Sequence, residues 1–299
     1  MAMKKVCILL SAAFAGLLAF SCAKEVNQEN VKPVEGAIHF KVQAHGGVNT
    51  RTSVLPDGSF VKWDENDGLK IVETLTYSLS GETSTETHYG SAGVCNLQDD
   101  GKKADFDAYV EGNPPAGASI VSASYVAAYP YCFEDNTESL TQGGNNPNKF
   151  WRMRMPAVQK PGVGTFDPYA DILLSAPGAK DDNSRVEEGD VLGFSFHRIG
   201  TAVKMTVKGL ETGEKLQKIV ITAPVNIVGY VKVDLTTGDY LDGPGTYSGA
   251  GSNVLTLNFN DLAINGPVEV WFRVLAVDWD GTLEMTAETD AANYYRTTS

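Results

Sequence analysis

The chain has 299 residues, of which 42% are hydrophobic, and its formal net charge is −13. This hydrophobic share is enough to build packed cores, which excludes a disordered chain, and the length allows one large or two ordinary domains. The acidic balance excludes a nucleic-acid-binding surface, because phosphates require a basic protein face.

The amino terminus has the pattern of an export signal. Two lysines precede an apolar run, residues 6–20, which is too short for a comfortable membrane span. The sequence LAFSC at residues 18–22 resembles the lipobox of bacterial lipoproteins. The resemblance implies that residues 1–21 are a lipoprotein signal peptide and that Cys22 carries acyl chains, which anchor the protein in a membrane. The competing interpretation, a buried core cysteine, is disfavoured because polar sequence follows directly.

The first folded element follows a polar tether. Residues 22–35 offer little to bury and predict a flexible tether between the lipid and the first strand. Apolar and polar residues then alternate, which is the pattern of a half-buried strand. Its inner face is predicted to carry Ile38, Phe40, Val42 and Ala44.

Similar runs, separated by turn clusters such as Asp99-Asp100-Gly101, continue along the chain. They predict strands at residues 68–74, 120–129, 191–197, 201–209, 216–223, 231–235, 254–259 and 268–277. One short helix fits residues 135–142. This rhythm predicts an all-β fold, either a sandwich or a barrel. The polar, unpatterned residues 180–185 predict a boundary between two β-domains.

Two cysteines, Cys95 and Cys132, remain beyond the lipobox. Export makes a disulfide between them possible, and both can equally be small buried residues. No C-x-x-C motif occurs, so zinc and thioredoxin chemistry have no support.

Four phrases of the sequence resemble the fimbrillin family, including Mfa-like proteins, which are lipoprotein-derived pilins and adhesins of type V pili. They are the opening strand with TRT at 50–52 and WDENDGLKI at 63–71, YVAAYPY at 125–131, MPAVQ at 155–159 with GTFDP at 164–168, and FSFHR at 194–198. The resemblance implies two tandem transthyretin-like β-sandwich domains, residues 36–180 and 181–299. The family pattern continues past Ser299, so the second domain is expected to be truncated or a short variant.

The resemblance also implies a function. In the family a protease removes the first strand after a basic residue, and the groove accepts a strand from the next subunit. The inner face of residues 38–44 would belong to the removable strand, and Arg51 would be the cleavage site, although Arg51 can equally be an uncut loop residue of the TRT pattern. The expected partners are other pilus subunits, and the expected location is the outer membrane or cell surface, in a fimbrium.

No catalytic motif occurs, so the protein is expected not to be an enzyme and to need no cofactor. No metal site is expected either. The acidic run at residues 64–68 fails the EF-hand spacing and fits a tight turn, and the four histidines show no ligand spacing.

An alternative function is a non-polymerising surface lipoprotein that binds a glycan or a host protein. Its amide-rich segment, residues 135–150, would be the binding loop. The aromatic residues Tyr125, Tyr129, Tyr131 and Phe133 fit core packing better than a glycan platform.

Overall fold

The computed structural model describes residues 36–45, 53–54, 61–129, 150–234, 240–242, 251–278 and 280–298. Within these ranges the chain forms twenty strands and one short 3-10 helix, Pro168–Ala170, so the predicted all-β class is confirmed. The first strands are β1 Ile38–His45, β2 Ser53–Val54, β3 Val61–Lys62, β4 Gly68–Leu79, β5 Glu82–Gln98, β6 Lys103–Val110 and β7 Ser119–Tyr129. The next are β8 Phe150–Met155, β9 Val158–Gln159, β10 Ile172–Ser175, β11 Val191–Ile199, β12 Thr201–Val207 and β13 Lys215–Thr222. The last are β14 Val228–Asp234, β15 Tyr240–Asp242, β16 Gly251–Ser252, β17 Val254–Ala263, β18 Val268–Val274, β19 Leu283–Thr289 and β20 Asn293–Thr298.

Seven strands close into a barrel in the order β1-β11-β10-β7-β4-β5-β6. The ring closes because β1 pairs with β6 on one side and with β11 on the other. The β1–β11 pair is parallel, and the other pairs of the ring are antiparallel. The sequence pattern allowed either a sandwich or a barrel, and these seven strands form a barrel.

The barrel core is aromatic at its centre. Trp63 is fully buried and meets three rings edge-on, Phe106 at 5.2 Å, Tyr129 at 5.6 Å and Phe196 at 5.8 Å between ring centroids. The predicted turn at residues 99–101 positions this tryptophan, because Gly101 O accepts a hydrogen bond from Trp63 N at 2.9 Å.

A second core lies among the later strands. The five-stranded sheet β20-β19-β13-β17-β9 packs with the β12–β18 pair and the sheet around β14. Its buried side chains are aliphatic for the most part, for example Ile219, Leu255, Leu257 and Val270.

The two units exchange strands across the predicted boundary between residues 180 and 181. β11 follows that boundary and joins the barrel, whereas β8 and β9 precede it and pair with β14 and β17. The polar residues that predicted this boundary include Arg185, which is buried with only 8% of its surface exposed. The transthyretin-like tandem and its limits remain predictions.

Candidate functional site

The first strand, β1, is the candidate functional site, because it closes the barrel. Along most of its length it pairs antiparallel with β6, in the register that places Phe40 opposite Ala108. Its second half pairs parallel with β11, where Ala44 lies opposite Phe194. β1 therefore joins two strands that belong to opposite ends of the rest of the ring.

The inner face of β1 is apolar and buried. The exposed fraction is 3% for Phe40, 0% for Val42 and 2% for Ala44. Ile38 is half-buried and packs against the same core, while Lys41 points outward and is exposed. The alternation predicted from the sequence is present, and it places these apolar side chains in the barrel interior.

The first half of β1 is bonded to the connection between β10 and β11, residues 176–190. Lys41 N donates to Asp190 O at 2.7 Å, and Gly189 N donates to His39 O at 3.1 Å. The connection thus continues the β11 side of the ladder. Without β1, backbone groups of β6, of β11 and of the connection would all lose their partners.

A buried ion pair lies at the end of the barrel where β1 begins. Glu73, on β4, is fully buried, and Arg185 reaches it from the connection with Nε at 2.8 Å from Oε1 and a terminal nitrogen at 2.7 Å from Oε2. Tyr125 donates its hydroxyl to Glu73 Oε1 at 2.7 Å, and His88 Nδ1 lies 2.7 Å from Oε2. We call these four side chains the Glu73 cluster.

The Glu73 cluster holds the connection to several parts of the barrel. Arg185 also donates to Gly112 O at 2.7 Å and to Asn113 Oδ1 at 3.2 Å, both in the loop after β6. Val186 N donates to the Tyr125 hydroxyl at 2.9 Å. The connection is therefore fixed to β4, β7 and the loop after β6 by contacts that do not involve β1.

The electrostatics of the cluster favour a charged Glu73 and a neutral Tyr125. Burial alone would raise the pKa of Glu73, but hydrogen bonds with His88, Arg185 and Tyr125 outweigh it and bring the pKa below its ordinary value. Burial, and then the neighbouring carboxylate, raise the pKa of Tyr125 far above its ordinary range. The arrangement is chemically suited to anchoring a loop through a permanent ion pair.

A second buried ion cluster links the barrel to the second unit. Arg198, on β11, donates to both oxygens of Asp171 at 2.9 and 3.1 Å, and Arg273, on β18, donates to the same carboxylate. The amide of Gln159 bonds the backbone of Arg273 twice, at 2.7 and 3.0 Å. Burial lowers the pKa of Arg273 to about 10, with Asp171 opposing this effect and Arg198 adding to it.

The sequence analysis missed these buried charges. The available signal was a single charge inside an apolar run, such as Glu73 in the run 71–75 or Arg273 in the run 270–277. A lone charge in such a run has to find a partner, because burying it unpaired is costly. The partner itself, far away in the sequence, left no local signal.

Several predicted site residues lie outside the described residues. They are the lipidation residue Cys22, the cleavage residue Arg51, the amide-rich segment 135–149, the possible helix 135–142, and Cys132, Tyr131 and Phe133. Cys95 is described, and it is an exposed free thiol. Tyr125 and Tyr129 are buried, as the core-packing interpretation predicts.

The acidic run after Trp63 forms the predicted tight turn. Asp67 N donates to Asp64 O at 3.0 Å, Asp64 N donates to Asp67 Oδ2 at 2.7 Å, and Tyr129 donates to Asp67 Oδ1 at 2.9 Å. In the part of the chain that the structure describes, no group of three or more His, Cys, Asp and Glu side chains is placed to hold a metal ion. The same part contains no helix with the length and apolar character needed to cross a membrane.

Comparison with known proteins gives weak structural likenesses. No protein-family model matches the sequence, and no curated protein matches it. Among solved structures, the chain is similar to a candidate cell adhesion protein from Bacteroides ovatus, with 11% identity, 86% of this chain and 85% of that chain covered, and a TM-score of 0.43. It is also similar to a candidate adhesin from the same organism, with 14% identity, 91% and 84% covered, and a TM-score of 0.34. The function proposed below rests on the sequence and on the contacts of this chain.

Proposed function

We propose that the protein is a fimbrial subunit or tip adhesin of the fimbrillin type, a non-enzymatic protein that is exported as a lipoprotein and assembles by strand addition for cell adhesion. The observation that carries the proposal is the position of β1. A single strand near the amino terminus closes the barrel, and a cut between His45 and Ser53 would leave it attached by non-covalent contacts alone.

The contacts of β1 support its replacement by another strand. Full burial of a side chain such as Phe40 or Val42 is worth about 1.5–3 kcal/mol each, so an empty groove would expose an unfavourable apolar floor. Its two walls, β6 and β11, would present unpaired N–H and C=O groups. An extended segment of another subunit would satisfy both requirements, as in donor-strand complementation generally.

The fixed connection supports a groove that keeps its shape. Residues 185 and 186 are bonded to Glu73, Tyr125 and the loop after β6 independently of β1. The wall beside the first half of β1 would therefore stay in place after the strand has left.

The membrane anchor in this proposal is the lipid on Cys22, and the proposed location is the outer membrane or the cell surface. Cys22→Ala should release the protein from membranes, because acyl chains provide the anchorage. Cys95→Ala, which changes an exposed thiol outside the lipobox, is the matched control and should leave the protein in the membrane fraction. Sedimentation of the Cys22 variant with membranes after a high-salt wash would contradict the lipoprotein proposal.

Strand removal is tested by limited trypsin digestion of the full-length protein. Trypsin should cut after Arg51 before most other sites and should generate oligomers. Arg51→Gln should prevent both events, and Arg51→Lys, which keeps a trypsin site, should preserve them. Mass spectrometry and size-exclusion chromatography follow the time course.

Two results would contradict assembly by this route. One is cleavage elsewhere first, and the other is a chain that has an intact carboxyl terminus, is cut after Arg51 and stays monomeric. Either result would favour the non-polymerising surface lipoprotein that binds a glycan or host protein.

A further inference from the structure

Resting on the strand addition proposed above, we infer that the groove selects its donor strand by side-chain size. The partner is an extended segment of another protein chain with an aromatic residue at the position of Phe40, a β-branched residue at that of Val42, and a residue no larger than alanine at that of Ala44. The groove admits this segment in a single register.

The position of Phe40 has room for a ring. Its neighbour across the antiparallel ladder is Ala108, whose side chain is small. The Phe40 ring packs against Tyr125 at 5.9 Å between centroids, and only 3% of the residue is exposed. A smaller donor residue would leave a cavity beside Tyr125, and buried cavities are costly.

The position of Ala44 has no such room. Its neighbours are Ala104 on β6 and Phe194 on β11, and Ala44 is 2% exposed. The Phe194 ring lies 6.2 Å from Phe196, whose ring contacts Trp63 at 5.8 Å. These aromatic rings fill the interior at this end of the groove, so a larger donor residue would have to displace one of them.

The middle position selects an intermediate shape. Val42 is fully buried between Phe106 on β6 and Leu192 on β11. Both neighbours are large, so a ring does not fit there, while a β-branched residue packs well on a pleated sheet.

The order of large, intermediate and small positions along the groove fixes the register of the donor strand. Side chains alternate with a period of two, so a donor shifted by two residues keeps its apolar face inward. If the donor is shifted by two residues toward the carboxyl end of the groove, its aromatic residue takes the position of Val42 and meets Phe106. Its valine then takes the position of Ala44 and meets Phe194. The size mismatch excludes the shifted register, although its hydrogen bonds would be equally good.

The outer face contributes little to the selection. Lys41 and Asp107 form an ion pair at 3.3 Å, and their side chains are 56% and 67% exposed. Exposed pairs of this kind add little to affinity.

The test uses the full chain with a specific protease site inserted between residues 46 and 50 and cut after folding. A labelled peptide with the sequence of residues 38–45 should replace the cut β1, and unlabelled variant peptides compete with it. In the peptide, Phe40→Ala should weaken binding about 150- to 5,000-fold, and Ala44→Leu about 5- to 100-fold. Gln43→Leu adds the same side chain on the outer face and should change affinity by about 2-fold at most.

The outcomes separate the inference from the function on which it rests. If the unsubstituted peptide of residues 38–45 never binds in the groove of the cut chain, strand addition itself is wrong, and so is the size selection. If the unsubstituted peptide binds, but the Ala44→Leu and Gln43→Leu peptides bind with equal affinity, the size selection is wrong and strand addition stands.

Discussion

Two buried regions of the same barrel are built in opposite ways. The inner face of β1 is apolar, and its contacts are those of Phe40, Val42 and Ala44 with the core. The Glu73 cluster, at the end of the barrel where β1 begins, is charged, and each of its contacts joins a specific donor to a specific acceptor.

Under the proposed function, the difference separates a part of the barrel that is exchanged from a part that stays fixed. Apolar contacts are not directional, so any strand with suitable side chains can restore them. A buried carboxylate needs its own cation, and losing that partner leaves an uncompensated charge. The barrel thus combines a strand held by apolar contacts with a connection held by directional, charged contacts.

The largest expected effect comes from breaking the anchored part. Arg185→Met should lower the free energy of unfolding by about 3–5 kcal/mol, because Glu73 then stays buried without its cation. Urea unfolding at neutral pH measures this loss in the free energy of unfolding. Lys180→Met is the matched control in the same connection, where the loss of a partly exposed pair with Asp190 should lower stability far less. Equal losses in the two variants would show that the cluster does not anchor the connection.

A smaller effect is expected from acid. The pKa of Glu73 is lower in the folded chain than its ordinary value of 4.5, so its contribution to stability is complete above that pH and is lost as the pH falls through the lower folded value. Urea unfolding from neutral pH down to about pH 3 should therefore show a steeper loss in the natural chain than in the double variant Glu73→Gln with Arg185→Met. Parallel curves would contradict a charged, stabilising Glu73.

The smallest effect compares conservative changes in the two regions. Ile38→Val removes one methylene from a half-buried side chain on the inner face of β1 and should cost about 1.5 kcal/mol or less in the uncut chain. Arg185→Lys should cost more, because a lysine cannot reproduce the paired hydrogen bonds of the guanidinium to Glu73. Thermal or urea unfolding ranks the two variants by their loss of stability. A larger loss in the β1 variant would contradict the contrast between tolerant apolar contacts and specific charged contacts.

Strand β1 could be predicted from the sequence, because its signal is local. Alternation over residues 38–44 is enough to indicate a strand and its inner face. Its place in the ring could not be predicted, since the parallel pairing with β11 joins segments that are far apart in the sequence. The contact between Arg185 and Glu73 could not be predicted for the same reason, because the two residues are 112 positions apart and Arg185 lies in a polar, unpatterned stretch of the sequence.

Strand β5 shows why other elements were missed. It has 17 residues, and its first residues are polar and exposed, so no alternation is visible there. Gly90, within it, looks like a turn residue in the sequence. In the structure, an added Cβ at Gly90 would lie 1.7 Å from Tyr109 O, so glycine is needed for the close approach of β5 and β6.

The most direct test of the central claim, that β1 is removed and replaced on assembly, is the amino terminus of the polymeric protein purified from cell surfaces. Mass spectrometry of its first peptide should find Thr52, directly after Arg51, with β1 no longer part of the chain. A polymer whose subunits still begin at the lipid-bearing Cys22 and keep residues 38–45 would contradict the account.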